Sequence, residues 1–159
     1  MLAAGNAAAQ GPGVAVEPGQ RIGVAALDMA PEQVRAAVGE PDRMEAYAGG
    51  QPQRFYYDKQ NLQIQFSEPS QHEAGVVEWI ETRHPQARDL RGIGMGSASA
   101  DIEEAYGDDY EQLDRANGDW VMDYAGLGIQ FESDAATDRV RAISVLPAEP
   151  DEPEAITES

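Results

Sequence analysis

Leu62-Gln63-Ile64-Gln65-Phe66 and Leu127-Gly128-Ile129-Gln130-Phe131 are two runs with the same alternation of apolar and polar positions. Period-two alternation places Leu, Ile and Phe on one side of a strand and the glutamines on the other, the signature of a sheet with one buried face. Each run follows a segment ending in tyrosine, Tyr57 in the first case and Tyr124 in the second. Working outward, Leu27 to Gly39 aligns with Met95 to Gly107, so that Val34 meets Ile102 and Gly39 meets Gly107, while Val77 and Ile80 meet Val140 and Ile143. The offset between matched positions shortens steadily along the chain, from the Gly39/Gly107 pair through Leu62/Leu127 to Ile80/Ile143. Small loop deletions between repeated elements produce such a drift, and the pattern predicts an internal duplication.

Each half opens with a short helix. Pro31 suits the first turn, Glu32 complements the helix dipole, Val34, Ala37 and Val38 form an apolar stripe, and Gly39 ends the run before Pro41. In the second half Ser99 is the expected cap, Asp101 lies in the first turn, Ile102, Ala105 and Tyr106 repeat the stripe, and Gly107 closes it. Strands are expected near 43–48, 53–58, 61–67 and 75–82, then near 110–115, 119–124, 127–132 and 139–146, with Ala125-Gly126 as a tight turn. The expected class is α+β: two tandem repeats, each a short helix packed on a small antiparallel sheet. The expected organisation is a flexible leader over 1–20, unit 1 over 21–86, unit 2 over 87–147 and an acidic disordered tail over 148–159.

Composition removes several functions. The chain has 159 residues, 11 Lys and Arg against 29 Asp and Glu, and a net charge of −18. Such a surface repels nucleic acid and anionic membrane, whose binding depends on basic residues. With no cysteine there is no disulfide framework, thiol nucleophile or Cys-ligated metal. No apolar run reaches the ~18–20 residues of a membrane span, and the opening residues lack the basic start and apolar core of a signal peptide. The two ends carry six of the negative charges, Glu17 at one and Glu149, Asp151, Glu152, Glu154 and Glu158 at the other, so the acidity is spread over the molecule.

Signals for chemistry are sparse. His72 and His84 lie in loop-like surroundings, and a triad written with Ser67, Ser70 or Ser97 lacks a nucleophile elbow. Gly92-Ile93-Gly94-Met95-Gly96 has neither dinucleotide nor Walker spacing and reads as the turn before the second helix. Asp108, Asp109 and Glu111 offer oxygens for calcium without EF-hand spacing, and a solvated acidic face accounts for them. No catalytic residue, metal or cofactor is assigned. Strand alternation instead gathers Tyr56, Gln63, Gln65, Val77 and Trp79 on the outer sheet face, with Tyr56, Gln63, Gln65 and Trp79 as the partner-binding set, since Tyr and Trp give large, stiff contact area. Trp79 is the sensitive position, because the Val77 to Ile80 spacing of three does not fit a flat strand and a bulge there re-aims side chains.

The run Asp28-Met29-Ala30-Pro31-Glu32-Gln33-Val34, ending in Gly39-Glu40-Pro41-Asp42 and followed by the Tyr-ending strand, the alternating strand and Val-x-x-Ile, resembles the repeat of the SmpA/OmlA (BamE-like) and beta-lactamase-inhibitor-like (BLIP-like) group. Gly94 to Gly107 resembles a second, more divergent copy, so the likeness spans about residues 21–147. The resemblance implies a bacterial cell-envelope module, periplasmic, envelope-associated or secreted, that works by holding another protein. The chain has no lipobox cysteine, and its tandem form is nearer the inhibitor-like arrangement. Two functions are carried forward: a non-catalytic protein-interaction module that docks a partner protein on its open sheet face, and an acidic inhibitor or immunity-type protein that plugs a basic enzyme through electrostatic steering.

Overall fold

The computed structural model describes residues 15–149. Twelve strands and two α-helices are present among these residues. The strands are β1 (Ala15–Glu17), β2 (Arg21–Ile22), β3 (Ala25–Ala26), β4 (Arg43–Ala46), β5 (Pro52–Tyr57), β6 (Leu62–Phe66), β7 (Val77–Thr82), β8 (Arg88–Asp89), β9 (Glu111–Asp114), β10 (Trp120–Tyr124), β11 (Ile129–Ser133) and β12 (Val140–Val145). The helices are α1 (Pro31–Val38) and α2 (Ser99–Tyr106).

Eight strands form one antiparallel sheet in the order β4-β5-β6-β7-β12-β11-β10-β9. The expected fold of two tandem helix-on-sheet repeats is therefore wrong. The strands fall close to where the alternation put them, but the last strand of each half, β7 and β12, pair with one another through Ile80 and Val145, Glu81 and Ser144, and Thr82 and Ile143. Neither half owns a closed sheet, and strand dominates over helix. Alternation reports which face a side chain takes; it carries no information on which strand lies alongside. A second sheet, ordered β3-β2-β1-β8, was not foreseen at all, because its strands are two or three residues long and too short to show a period. In it β1 runs parallel to β8, pairing Ala15 with Arg88 and Val16 with Asp89.

Of the leader expected over 1–20, residues 1–14 lie outside the described residues, while Ala15–Glu17 is strand β1 and the turn after it brings the Gly19 N–H to the Gly128 carbonyl at 3.0 Å. Of the tail expected over 148–159, residues 150–159 also lie outside; Glu149 donates its N–H to the Ala125 carbonyl at 2.9 Å.

The core is a single layer between the inner face of the large sheet and the elements packed on it. Register sets one row of side chains across six strands: Tyr57, Leu62, Thr82, Ile143, Phe131 and Met122. All six are buried, and Val34 of α1, Ile102 of α2 and Val16, Ile22 and Ala25 of the small sheet close over the same cluster. Both helices end at a glycine of positive φ, Gly39 at 107° and Gly107 at 93°, where a side chain would be strained. The tyrosine hydroxyls secure these ends, Tyr57 donating to the Gly39 carbonyl and Tyr124 to the Gly107 carbonyl, each at 2.7 Å.

Three local expectations need correction. Ser99 does not cap α2; Ala98 holds that position and the Ser99 hydroxyl donates to Asp138 instead. Leu127 is not the equivalent of Leu62: the turn runs through Gly128, strand β11 starts at Ile129, and Leu127 is 42% exposed where Leu62 is 4%. Val77 does not share the outer face. A bulge sets Gln65 opposite Trp79 and Phe66 opposite Val77, so that Glu78 is the extra residue. Val77 and Ile80 thereby both reach the core, and Trp79 stays on the outer side.

Candidate functional site

The register that turns one row into the core turns the other to the outer face, where only its ends, Arg43 and Glu111, are exposed and Ser144 is buried. On the outer face a continuous row crosses all eight strands: Arg43, Tyr56, Gln63, Glu81, Ser144, Gln130, Asp123 and Glu111. A neighbouring row sets Glu45, Arg54, Gln65 and Trp79 side by side. The four residues singled out from the sequence are thus brought together, Tyr56 against Gln63 and Gln65 against Trp79, all half-buried.

Two arginines that the sequence reading passed over organise this patch. The Arg43 guanidinium stacks over the Tyr56 ring at 4.1 Å, and that of Arg54 over the Trp79 ring at 4.8 Å, contacts that add cation–π attraction to packing. Arg54 also donates from Nη1 to Gln63 Oε1 at 3.3 Å and from Nη2 to Gln65 Oε1, while Gln65 Nε2 donates to Glu78 Oε2 at 3.1 Å. Arg43 is held by two 3.1 Å bonds to Asp58, which keep that carboxyl below the ordinary carboxylate range. The result is a network in which two guanidinium groups link the rings of Tyr56 and Trp79 to Asp58, Gln63 and Gln65 within the face. The signal for it was present in the sequence: Arg54 is two residues before Tyr56, and in a strand that spacing returns to the same side.

Toward the middle of the sheet the face turns acidic. Glu81 is 12% exposed at its side chain; burial pushes its carboxyl above the usual range, the nearby Arg83 opposes that shift, and Glu132 adds to it. Arg83 Nε lies 2.9 Å from Glu81 Oε2 but is out of line, so that buried oxygen has no hydrogen-bond partner. Asp119 ties the β9–β10 connection to the β11–β12 connection and β12 by accepting the Ala135 N–H at 2.9 Å and an Arg141 N–H at 2.7 Å. The Ala135 bond, with Arg141 beside it, lowers its pKa.

A cleft of about 510 Å³ lies elsewhere, between the start of α1, the β4–β5 turn and residues 69–75. His72 lines it with Glu32, Arg35 and Glu73, but His72 is exposed and only its backbone N–H is bonded, to Ser70. His84 is not in this cleft; its ring Nδ1 accepts the Gln86 N–H at 3.0 Å, a turn contact. Ser67, Ser70 and Ser97 likewise accept backbone N–H groups of their own loops. The glycine run 92–96 forms the turn before α2, where Asp89 Oδ1 accepts the Arg91 and Ile93 N–H groups at 2.9 Å. Asp108, Asp109 and Glu111 are all exposed, and among the described residues no group of three or more His, Asp or Glu converges as metal ligands do.

No protein-family profile matches the chain, and no curated protein matches it. Solved structures do. One is an extracellular protein containing an SCP domain from Bacillus anthracis, 14% identical, with a TM-score of 0.47, over 76% of this chain and 44% of that one. Another is a cysteine-rich secretory protein from Staphylococcus aureus, 13% identical, with a TM-score of 0.47, over 82% of this chain and 46% of that one. The chain spans under half the length of either. The resemblance to the SmpA/OmlA and BLIP-like repeat does not hold, because the eight strands form one continuous sheet and not a pair of independent repeats. No helix among the described residues is long and apolar enough to cross a membrane.

Proposed function

We propose that this chain is a non-catalytic protein-interaction module that docks a partner protein on the outer face of its large sheet, with Tyr56, Gln63, Gln65 and Trp79 at the contact and Arg43 and Arg54 holding the two rings in place. The supporting observation is the one-sided layering of the fold. Both helices and the small sheet bury into the inner cluster, while Tyr56 and Trp79 stay half-buried on the opposite face. Aromatic side chains already fixed by stacking lose little freedom on docking, which is what makes such groups effective anchors. An extracytoplasmic location belongs to the same proposal and is tested by fractionating source cells.

Affinity capture from the source cell's envelope extract tests the docking face. A Trp79→Ala, Tyr56→Ala double variant that keeps its wild-type circular dichroism loses the captured partner; a folded double variant that retains every partner overturns the proposal.

A second reading is favoured by the acidic far end, where Asp101, Glu103, Glu104, Asp108, Asp109 and Glu111 are all exposed. There the chain inhibits a basic enzyme by electrostatic steering, and its association rate falls steeply with salt. A salt-insensitive rate argues against it.

A further inference from the structure

Among the described residues the large sheet ends in two unpaired strands, β4 and β9. An unpaired edge presents a row of backbone donors and acceptors to any strand that fits, and natural proteins commonly guard it with charge. The two edges are guarded differently. Strand β9 carries acidic charge alone, Glu111 and Asp114, and follows Asp108 and Asp109, so a second copy of itself is repelled. Strand β4 carries Arg43 and Glu45 on either side of Met44, and all three are exposed, Met44 at 45%.

We propose that β4 pairs with β4 of a second copy of this chain, joining two large sheets edge to edge about a two-fold axis at Met44. The register is dictated by chemistry. Antiparallel pairing that keeps the outer faces of both sheets on one side allows four alignments of this short strand, one centred on each residue, and centring on Ala46 opposes no charges within it. Centring on Arg43 opposes two arginines, and centring on Glu45 opposes two glutamates. Only centring on Met44 sets Arg43 of each copy against Glu45 of the other and brings the exposed methionines together. Opposite charges directly across a strand pair are favourable and like charges are not. Arg43 is already oriented on this edge by its bonds to Asp58 and its stack on Tyr56. Behind it, Arg35 of α1 reaches Met44 Sδ at 4.0 Å, which places the helix against the same edge. The closed two-fold arrangement uses up both copies of β4 and leaves the joined large sheet with self-repelling β9 strands at its two ends, so growth of that sheet stops at the dimer.

The test is sedimentation equilibrium on the full chain at physiological salt. The wild type forms a dimer that dissociates on dilution. Arg43→Glu and Glu45→Arg each weaken it about tenfold or more, because each replaces two opposite-charge contacts by two like-charge ones. Mixing the two single variants restores dimers as a heterodimer, since every cross-strand contact then joins opposite charges. The double variant carrying both substitutions dimerises like the wild type. A chain that stays monomeric up to about 1 mM, the weak end of specific association, overturns the proposal. So does a dimer indifferent to the single substitutions, an equimolar mixture that fails to reassociate, or open-ended growth that signals β4-to-β9 chaining.

Discussion

Removing the hydroxyls of Tyr57 and Tyr124 isolates the contribution of the helix-end contacts. Each hydroxyl donates to the carbonyl of a helix-terminating glycine at 2.7 Å, and each ring is 3% exposed. Tyr→Phe leaves the ring packing in place and deletes one buried hydrogen bond, worth about 1 kcal/mol. The two sites lie in different halves of the sheet and share no partner, so their effects add to about 2 kcal/mol in the double variant. For a chain of this size that lowers Tm by roughly 6–8 °C. There is a second signature at alkaline pH. Burial is the chief cause that pushes both phenols up to about 12, whereas an unfolded tyrosine ionises near about 10. The unfolded chain therefore releases these protons first, and stability present below pH ~10 is lost as pH rises toward the folded value. Thermal melts of wild type and double variant from neutral pH to beyond that window are the assay. The wild type loses stability more steeply across the window than the variant, from which both groups are absent. Two results refute the assignment of these hydroxyls. One is a neutral-pH loss in the double variant under about 0.5 kcal/mol, the low end for even a single net hydrogen bond. The other is an alkaline slope equal to that of the wild type.

Other expected outcomes follow from burial. Leu62→Ala costs about 2–5 kcal/mol in denaturant unfolding, while Leu127→Ala, at the position that matches it in sequence, stays within about 0.5 kcal/mol because its side chain is 42% exposed. Glu81→Gln, which removes a charge whose burial outweighs the attraction of Arg83, raises the melting temperature at neutral pH. Because burial raises the Glu81 pKa, its ionised form is penalised only once pH has risen through the ordinary carboxylate range. The gain from Glu81→Gln is therefore present at neutral pH and disappears in melts near pH ~4.

The strands and their buried faces were legible, though not the fold they build, because sheet residues announce their face. Ile64, Phe66, Ile129 and Phe131 alternate cleanly and are buried as expected, and Tyr56, Gln63, Gln65 and Trp79 are neighbours on one face. The failures share a cause, which is that long-range pairing leaves no local trace. Nothing in Ile80 or Val145 says that they are neighbours, yet that pairing turns two expected sheets into one. Likewise, Ala15–Glu17 looks like part of a low-complexity leader until Arg88–Asp89 is placed beside it. Leu127 misled for the opposite reason: the sequence match was real, but the turn after Tyr124 runs on through Leu127 to Gly128, where the first half uses a short 3-10 helix and Asn61 in the left-handed conformation. Arg54 and Arg43 were missed since charge was counted over the whole chain, not assigned to a face.

The pairing of β7 with β12 sets a time order on synthesis. Strand β7 is complete once Thr82 has been added, but its partner is the last strand of the fold, and Ile80 finds Val145 only after the whole second half has been made. During that interval β4–β7 can pair among themselves while β7 offers a bare apolar edge, the condition in which nascent chains mispair or recruit chaperones. The parallel contact of β1 with β8, from Ala15 to Arg88, likewise waits for everything between them. Such non-local closure makes for slow folding. The excess of carboxylates over basic residues then has a second consequence, a like-charge repulsion that keeps half-made copies apart until the central seam can close.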